Sequence, residues 1–115
     1  MGTVFEKVCK QFLLLNRDRL PFTFTKLGRW WHKDKEIDVV ALNEESKEIE
    51  FFECKYSSLK FKDALDILAE LKHKSGYVDW NLNKRKEHFG VIAKKIADKE
   101  RLRKEGYFVF DFDDF

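Results

Sequence analysis

With 115 residues and 43% apolar side chains, the chain has the size of one ordinary domain and enough apolar surface to close a core, which excludes disorder as a default. Its 23 basic and 21 acidic side chains leave a formal charge of +2 at pH 7, so any basic surface must come from where the charges lie. No apolar run reaches transmembrane length, no signal-peptide core is present, and Cys9 and Cys54 lack zinc or disulfide-framework spacing, so a cytoplasmic protein without a membrane role is expected.

The first predicted element is a helix over residues 4–15, with Phe5, Val8, Cys9, Phe12 and Leu13 on one stripe. Pro21 breaks the segment that follows. Lys26–His32 alternates weakly and suits a strand, with one of Trp30 and Trp31 packed in the core and the other turned out. Two apolar runs come next, Glu36–Leu42 and Glu48–Lys55, separated by the polar turn Glu44–Lys47. Residues 61–75 space Phe61, Leu65, Leu68 and Leu71 as an amphipathic helix with Gly76 as its stop. Residues 87–94 read as a short strand and 98–106 as a polar helix with Arg101, Arg103 and Lys104 on an exposed face. Tyr107–Phe115 reads as a last strand. This order predicts an α/β domain with a mixed sheet. The first three strands form an antiparallel meander, and the fourth runs parallel to the third through a right-handed crossover.

Register follows from the four-residue turn. Leu42 falls opposite Ile49, Val40 opposite Phe51, Asp38 opposite Glu53 and Glu36 opposite Lys55. The other face pairs Val39 with Phe52 and Ile37 with Cys54. A slip by one residue would set Asp38 against Phe52 and Val40 against Glu50, so the first register is preferred. It makes Asp38 and Glu53 adjacent carboxylates at the end of an apolar face, with Lys55 just beyond. Like charges in register are destabilising and call for a cation, either Lys55 or a divalent metal such as Mg²⁺ or Mn²⁺. A purely structural ion-pair cluster is the competing reading, although two carboxylates in register are a costly way to build one. Glu36 is expected to pair with Lys55 in support.

Asp38, followed fifteen residues later by Glu53-Cys54-Lys55 at a strand end, resembles the PD-(D/E)xK nuclease motif. The words GRWW, EIDVVAL and FFECKY, within a similarity from FEKVCKQFL to FDFDDF, resemble more narrowly the C-terminal domain of archaeal DEXX-box-type ATPases, part of the same nuclease-like superfamily. The resemblance implies a restriction-endonuclease-like αβββαβ core, here with an extra C-terminal helix and strand. It implies that Asp38, Glu53 and the main-chain carbonyl of Cys54 hold Mg²⁺ or Mn²⁺, with Glu6 as a further acidic group. It also implies that Lys55 positions or deprotonates the attacking water and stabilises charge on the phosphate. The proline of the motif is absent, with Ile37 in its place, and no G-x-x-x-x-G-K-[ST] loop is present. Residues 1–115 are therefore expected to be one nuclease-like domain from the C-terminal part of a longer ATPase, or a stand-alone copy of it.

Lys72, Lys74, Lys84, Arg85 and Lys86 cluster around the second helix and the loop after it, where they would grip phosphates, with Tyr56 or Trp80 stacking on a base. His32, His73 and His88 show no ligand spacing. Two functions are carried forward. One is a metal-dependent nuclease acting on DNA. The other is a catalytically silent nuclease-like module that binds nucleic acid or docks to a partner such as a P-loop ATPase domain. A homo-oligomer is compatible with either.

Overall fold

Five strands form a single mixed sheet in the order β1-β2-β3-β4-β5, in a computed structural model that describes residues 3–115. The elements are α1 (Thr3–Leu15), β1 (Lys26–His32), β2 (Lys35–Asn43), β3 (Glu48–Leu59), α2 (Phe61–Ser75), β4 (Lys86–Ile96), α3 (Lys99–Lys104) and β5 (Phe108–Phe110), with short 3-10 turns at Arg17–Arg19 and Phe112–Asp114. β1, β2 and β3 are an antiparallel meander, and β4 and β5 each join in parallel through a helix. No helix among the described residues is long and apolar enough to cross a membrane.

Helices cover both faces, which is why β3 and β4 are apolar on both sides in their middles. α1 buries Phe5, Cys9, Phe12 and Leu13 against Val39, Ala41, Phe52, Ile92 and Phe110. Val8, expected on that stripe, lies at its flank and is 40% exposed. α2 covers the opposite face. Its Ala64 and Leu68 meet Val91 and Ala93, and its Leu71 meets Ile37, Val40 and Phe51. At the centre of the parallel pair, Gly90 is obligatory because a Cβ there would lie 2.1 Å from the Phe108 carbonyl oxygen and 2.4 Å from the Phe52 ring.

The hairpin register holds where its apolar residues are: Leu42 pairs with Ile49, Val40 with Phe51 and Val39 with Phe52. Beyond that point it departs from the sequence expectation. Gly28 pairs with Val40 but Trp30 with Ile37, so β2 spends one more residue than β1 across Asp38 and Val39. This bulge puts Ile37 on the α2 face with Val40, while Cys54 packs on the α1 face, so the expected Ile37–Cys54 pair does not form. The β2–β3 ladder ends at Val39 and Phe52, and neither Asp38–Glu53 nor Glu36–Lys55 is a ladder pair.

The last strand also ends early, at Phe110 rather than at the C-terminus. The Asp111 side chain accepts from the Asp113 N–H and that of Asp114 from the Asp111 N–H, closing a turn. Short carboxylates that bond to nearby backbone override the alternating pattern here.

Candidate active site

The bulge and the end of the ladder build the site. Where β2 and β3 part, the N–H of Cys54 loses a backbone partner and donates instead to Asp38 Oδ2 at 2.9 Å. One hydrogen bond thus satisfies a buried donor and fixes the Asp38 carboxylate across the gap. Glu53, next on β3, is reached from the other side by Lys74 of α2, whose ammonium donates to Glu53 Oε1 and, at 2.8 Å, to the Glu36 carbonyl oxygen. Asp38 and Glu53 are 8% and 7% exposed.

One ammonium does not offset two carboxylates in this setting. Burial, and then the charge of Asp38, push the Glu53 carboxyl up to about 7 despite the hydrogen bond and charge of Lys74. Burial and Asp38 also raise Glu6 of α1. These groups line an open pocket of about 420 Å³ with Lys55 and Tyr56. Lys55 is exposed. Its expected partner Glu36 pairs with Arg29 instead, and Lys55 forms no ion pair among the described residues. Tyr56 is exposed, with its ring 5.4 Å from that of Phe5.

The donor set suits a hard divalent cation. Asp38 and Glu53 offer carboxylate oxygens, and the Cys54 carbonyl is a third oxygen in a pocket where Asp38 and burial raise Glu53. Among the described residues no three His, Cys, Asp or Glu side chains gather as a metal cluster. Glu6 therefore shares the pocket without completing a three-carboxylate set. Thiol chemistry is disfavoured: the hydrogen bond with Cys9, and then burial, hold the Cys54 thiol far above its ordinary pKa and therefore protonated.

The predicted phosphate-gripping cluster is dispersed. Lys74 lies inside the pocket paired with Glu53, its side chain only 15% exposed, rather than on the surface. The Arg85 side chain is 1% exposed and donates to the Ser75, Val78 and Trp80 carbonyls, so it braces the loop after α2. Lys86 pairs with Glu48 while Ala93 pairs with Lys55, which places Lys84 and Lys86 at the far end of β3. That is roughly 23 Å away at about 3.3 Å per residue. Lys72 donates to the Tyr107 hydroxyl at 2.6 Å, outside the pocket. The sequence signal for Lys74 was its place three residues after Leu71, on the buried side of α2.

Residues 1–67 match the family DUF234, described as archaea bacterial proteins of unknown function. All of the chain aligns, at 42% identity over 117 residues, with 26% of the uncharacterized protein MJECL04 of Methanocaldococcus jannaschii. The chain thus spans about a quarter of the length of the curated relative it matches. Its fold is that of a repair endonuclease from Pyrococcus abyssi, with a TM-score of 0.53 over 92% of this chain and 45% of that one, at 12% identity. A further likeness, to the EndoMS-dsDNA2 complex, has a TM-score of 0.45 at 14% identity and covers 96% of this chain and 44% of that one.

Proposed function

We propose that this chain, which belongs to the DUF234 family, is a metal-dependent nuclease domain that hydrolyses DNA phosphodiester bonds. The observation that carries the reading is the pair Asp38 and Glu53, two buried carboxylates at a break in the sheet, undercompensated and open to a pocket that holds Lys55. Undercompensated charge facing an open pocket is poor structure and good chemistry.

Asp38, Glu53 and the Cys54 carbonyl would hold Mg²⁺ or Mn²⁺. Such an ion supplies positive charge to the phosphate and acidity to water in the site. The Cys54 N–H keeps Asp38 aimed into the gap, and Lys74 keeps Glu53 oriented. Lys55 orients the attacking water and meets the negative charge that grows on the phosphate oxygens. The water oxygen bonds to phosphorus and gives up a proton, the bond from phosphorus to one sugar oxygen breaks, and that oxygen takes up a proton, so none is gained or lost overall. The full-length alignment with a quarter of a longer protein supports an accessory role beside another domain, for which we propose a P-loop ATPase.

The test is cleavage of plasmid and branched DNA with Mg²⁺ or Mn²⁺, beside Lys55→Ala and Glu53→Ala. Because Lys55 acts on charge present only in the transition state, Lys55→Ala should cut the rate by about 10²–10³ and leave DNA binding nearly intact. Wild-type activity that survives in both variants would belong to a contaminant. A wild type that binds DNA or its partner but never cuts would establish the silent docking module instead.

A further inference from the structure

Beside the acidic pocket, and sharing Glu36 with it, lies a second groove of about 430 Å³ formed by the end of β1 and the turn into β2. Its lining is Arg29, Trp31, Lys33, Asp34, Lys35 and Glu36, so every residue but the tryptophan is charged. Trp30 points the other way and packs on the α2-side core, while Trp31 is 70% exposed. Trp31 sits directly across the ladder from Glu36. Arg29 pairs with Glu36, and Lys35 lies 3.4 Å from Asp34, while Lys33 at the turn stands outside both pairs. The Lys35 ammonium also lies 4.6 Å from the centre of the half-exposed Tyr77 ring, which extends the aromatic and cationic surface toward α2.

We infer that this groove receives DNA with an unpaired base next to the scissile phosphate. Trp31 stacks on that base, and Arg29, Lys33 and Lys35 meet the flanking phosphates. The inference rests on the nuclease reading and names its substrate class. An indole gains its stacking energy from a base face, and in an intact duplex both faces of each base are already stacked. A protein partner is the poorer fit, because aromatic anchors at protein interfaces sit within apolar cores, whereas charges surround this one. Three cations against two carboxylates favour a polyanion, and the shared Glu36 puts the groove next to the proposed cleavage site.

The experiment measures binding without cleavage, using labelled DNA in EDTA with the full chain. Intact duplex is compared with a forked duplex of the same sequence carrying unpaired arms. Wild type should favour the fork by about tenfold, with its tryptophan emission quenched on binding, as expected for one stacked base. Trp31→Ala should lose that preference, Trp31→Phe should keep most of it, and melting temperatures should not move because the side chain is exposed. Lys33→Ala should weaken fork binding and lower its salt dependence. Equal wild-type affinity for fork and duplex, or a preference unchanged in Trp31→Ala, overturns the inference even if the protein cuts DNA. A Trp31-dependent preference in a protein that cuts nothing would overturn the nuclease reading and leave the groove assignment standing.

Discussion

Asp111 and Asp114, just past β5, resemble Asp38 and Glu53 in composition: each pair is largely buried and close to a lysine. Their surroundings differ in kind. Asp111 accepts from the Ile96 N–H at 2.9 Å, the Asp113 N–H at 3.0 Å and the Lys99 ammonium at 2.8 Å. Asp114 takes Lys99, Arg103 and the Asp111 N–H. Burial alone would raise Asp114, but those donors hold it below its ordinary pKa. At the other cluster, burial and Asp38 carry Glu53 up to about 7. A cluster whose oxygens are matched by donors pins β4, α3 and the C-terminus together. A cluster left short of positive charge, beside an open pocket, is where the proposed function puts its cation.

The largest effect should come from breaking the matched cluster. Asp111→Ala strips partners from a buried N–H and from Lys99, and removing one member of a buried pair costs about 3–5 kcal/mol. For a domain of this size that is a fall of at least about 10 °C in melting temperature. Asp38→Asn keeps an oxygen for the Cys54 N–H and removes repulsion with Glu53, so calorimetry should show no loss of stability and a gain above pH 7. A loss as large as that of Asp111→Ala would make the two clusters equivalent and both structural.

Metal should sharpen the contrast with a somewhat smaller effect. An ion bound only by the folded chain adds about 2.7 kcal/mol at a hundredfold excess over its Kd. Millimolar Mn²⁺ should therefore raise the melting temperature of wild type and of Asp111→Ala by similar amounts, and leave Asp38→Asn unmoved. A wild type indifferent to Mn²⁺ would remove the cation from the argument.

Much of this was legible along the chain and some was not, for separable reasons. The meander and the parallel fourth strand followed from period-two runs and a four-residue turn, signals that depend only on neighbours in sequence. The apolar part of the hairpin register came out correctly for the same reason. The bulge at Asp38 and Val39 left no trace, since neither residue is a glycine and one extra residue does not change a short pattern. Where each basic side chain of the expected phosphate-gripping cluster sits was not legible, because burial of a cation is decided by what packs across from it. Lys74 meets Glu53, 21 positions away, and Arg85 meets carbonyls of the α2 end, contacts with no local signature. Glu50 shows the same limit: the chain marks it only as a charged residue of a strand, yet it is fully buried and neither carboxyl oxygen has a hydrogen-bond partner among the described residues.

The smallest effect, and the most direct test of the comparison, is the sign of the pH dependence. Glu53 has a folded pKa of about 7 against an ordinary 4.5, so between those values the folded state binds more protons than the unfolded one. Stability from this residue is therefore greatest below about pH 4.5, falls as pH rises through 7, and is level above it. Allowing for solvent at the open pocket, the fall should be about 1–2 kcal/mol. Glu50, which burial raises well above its ordinary value, slopes the same way and would mask the effect in wild type alone. Subtracting wild type from Glu53→Gln at each pH cancels it, because Glu50 is common to both. That difference should vanish at pH 4 and favour Glu53→Gln at pH 8. Asp114 should do the reverse: its lowered pKa makes its contribution full above about 3.8 and lost as pH falls through the folded value, so wild type and Asp114→Asn should differ at pH 6 and converge in acid. Adding Mn²⁺ should reverse the Glu53 difference at pH 8, because the ion favours the ionised carboxylate that the empty pocket disfavours, and should leave the Asp114 difference as it was. Parallel slopes for the two variants would mean that the clusters are compensated alike, and the case for a cation between Asp38 and Glu53 would fall with that result.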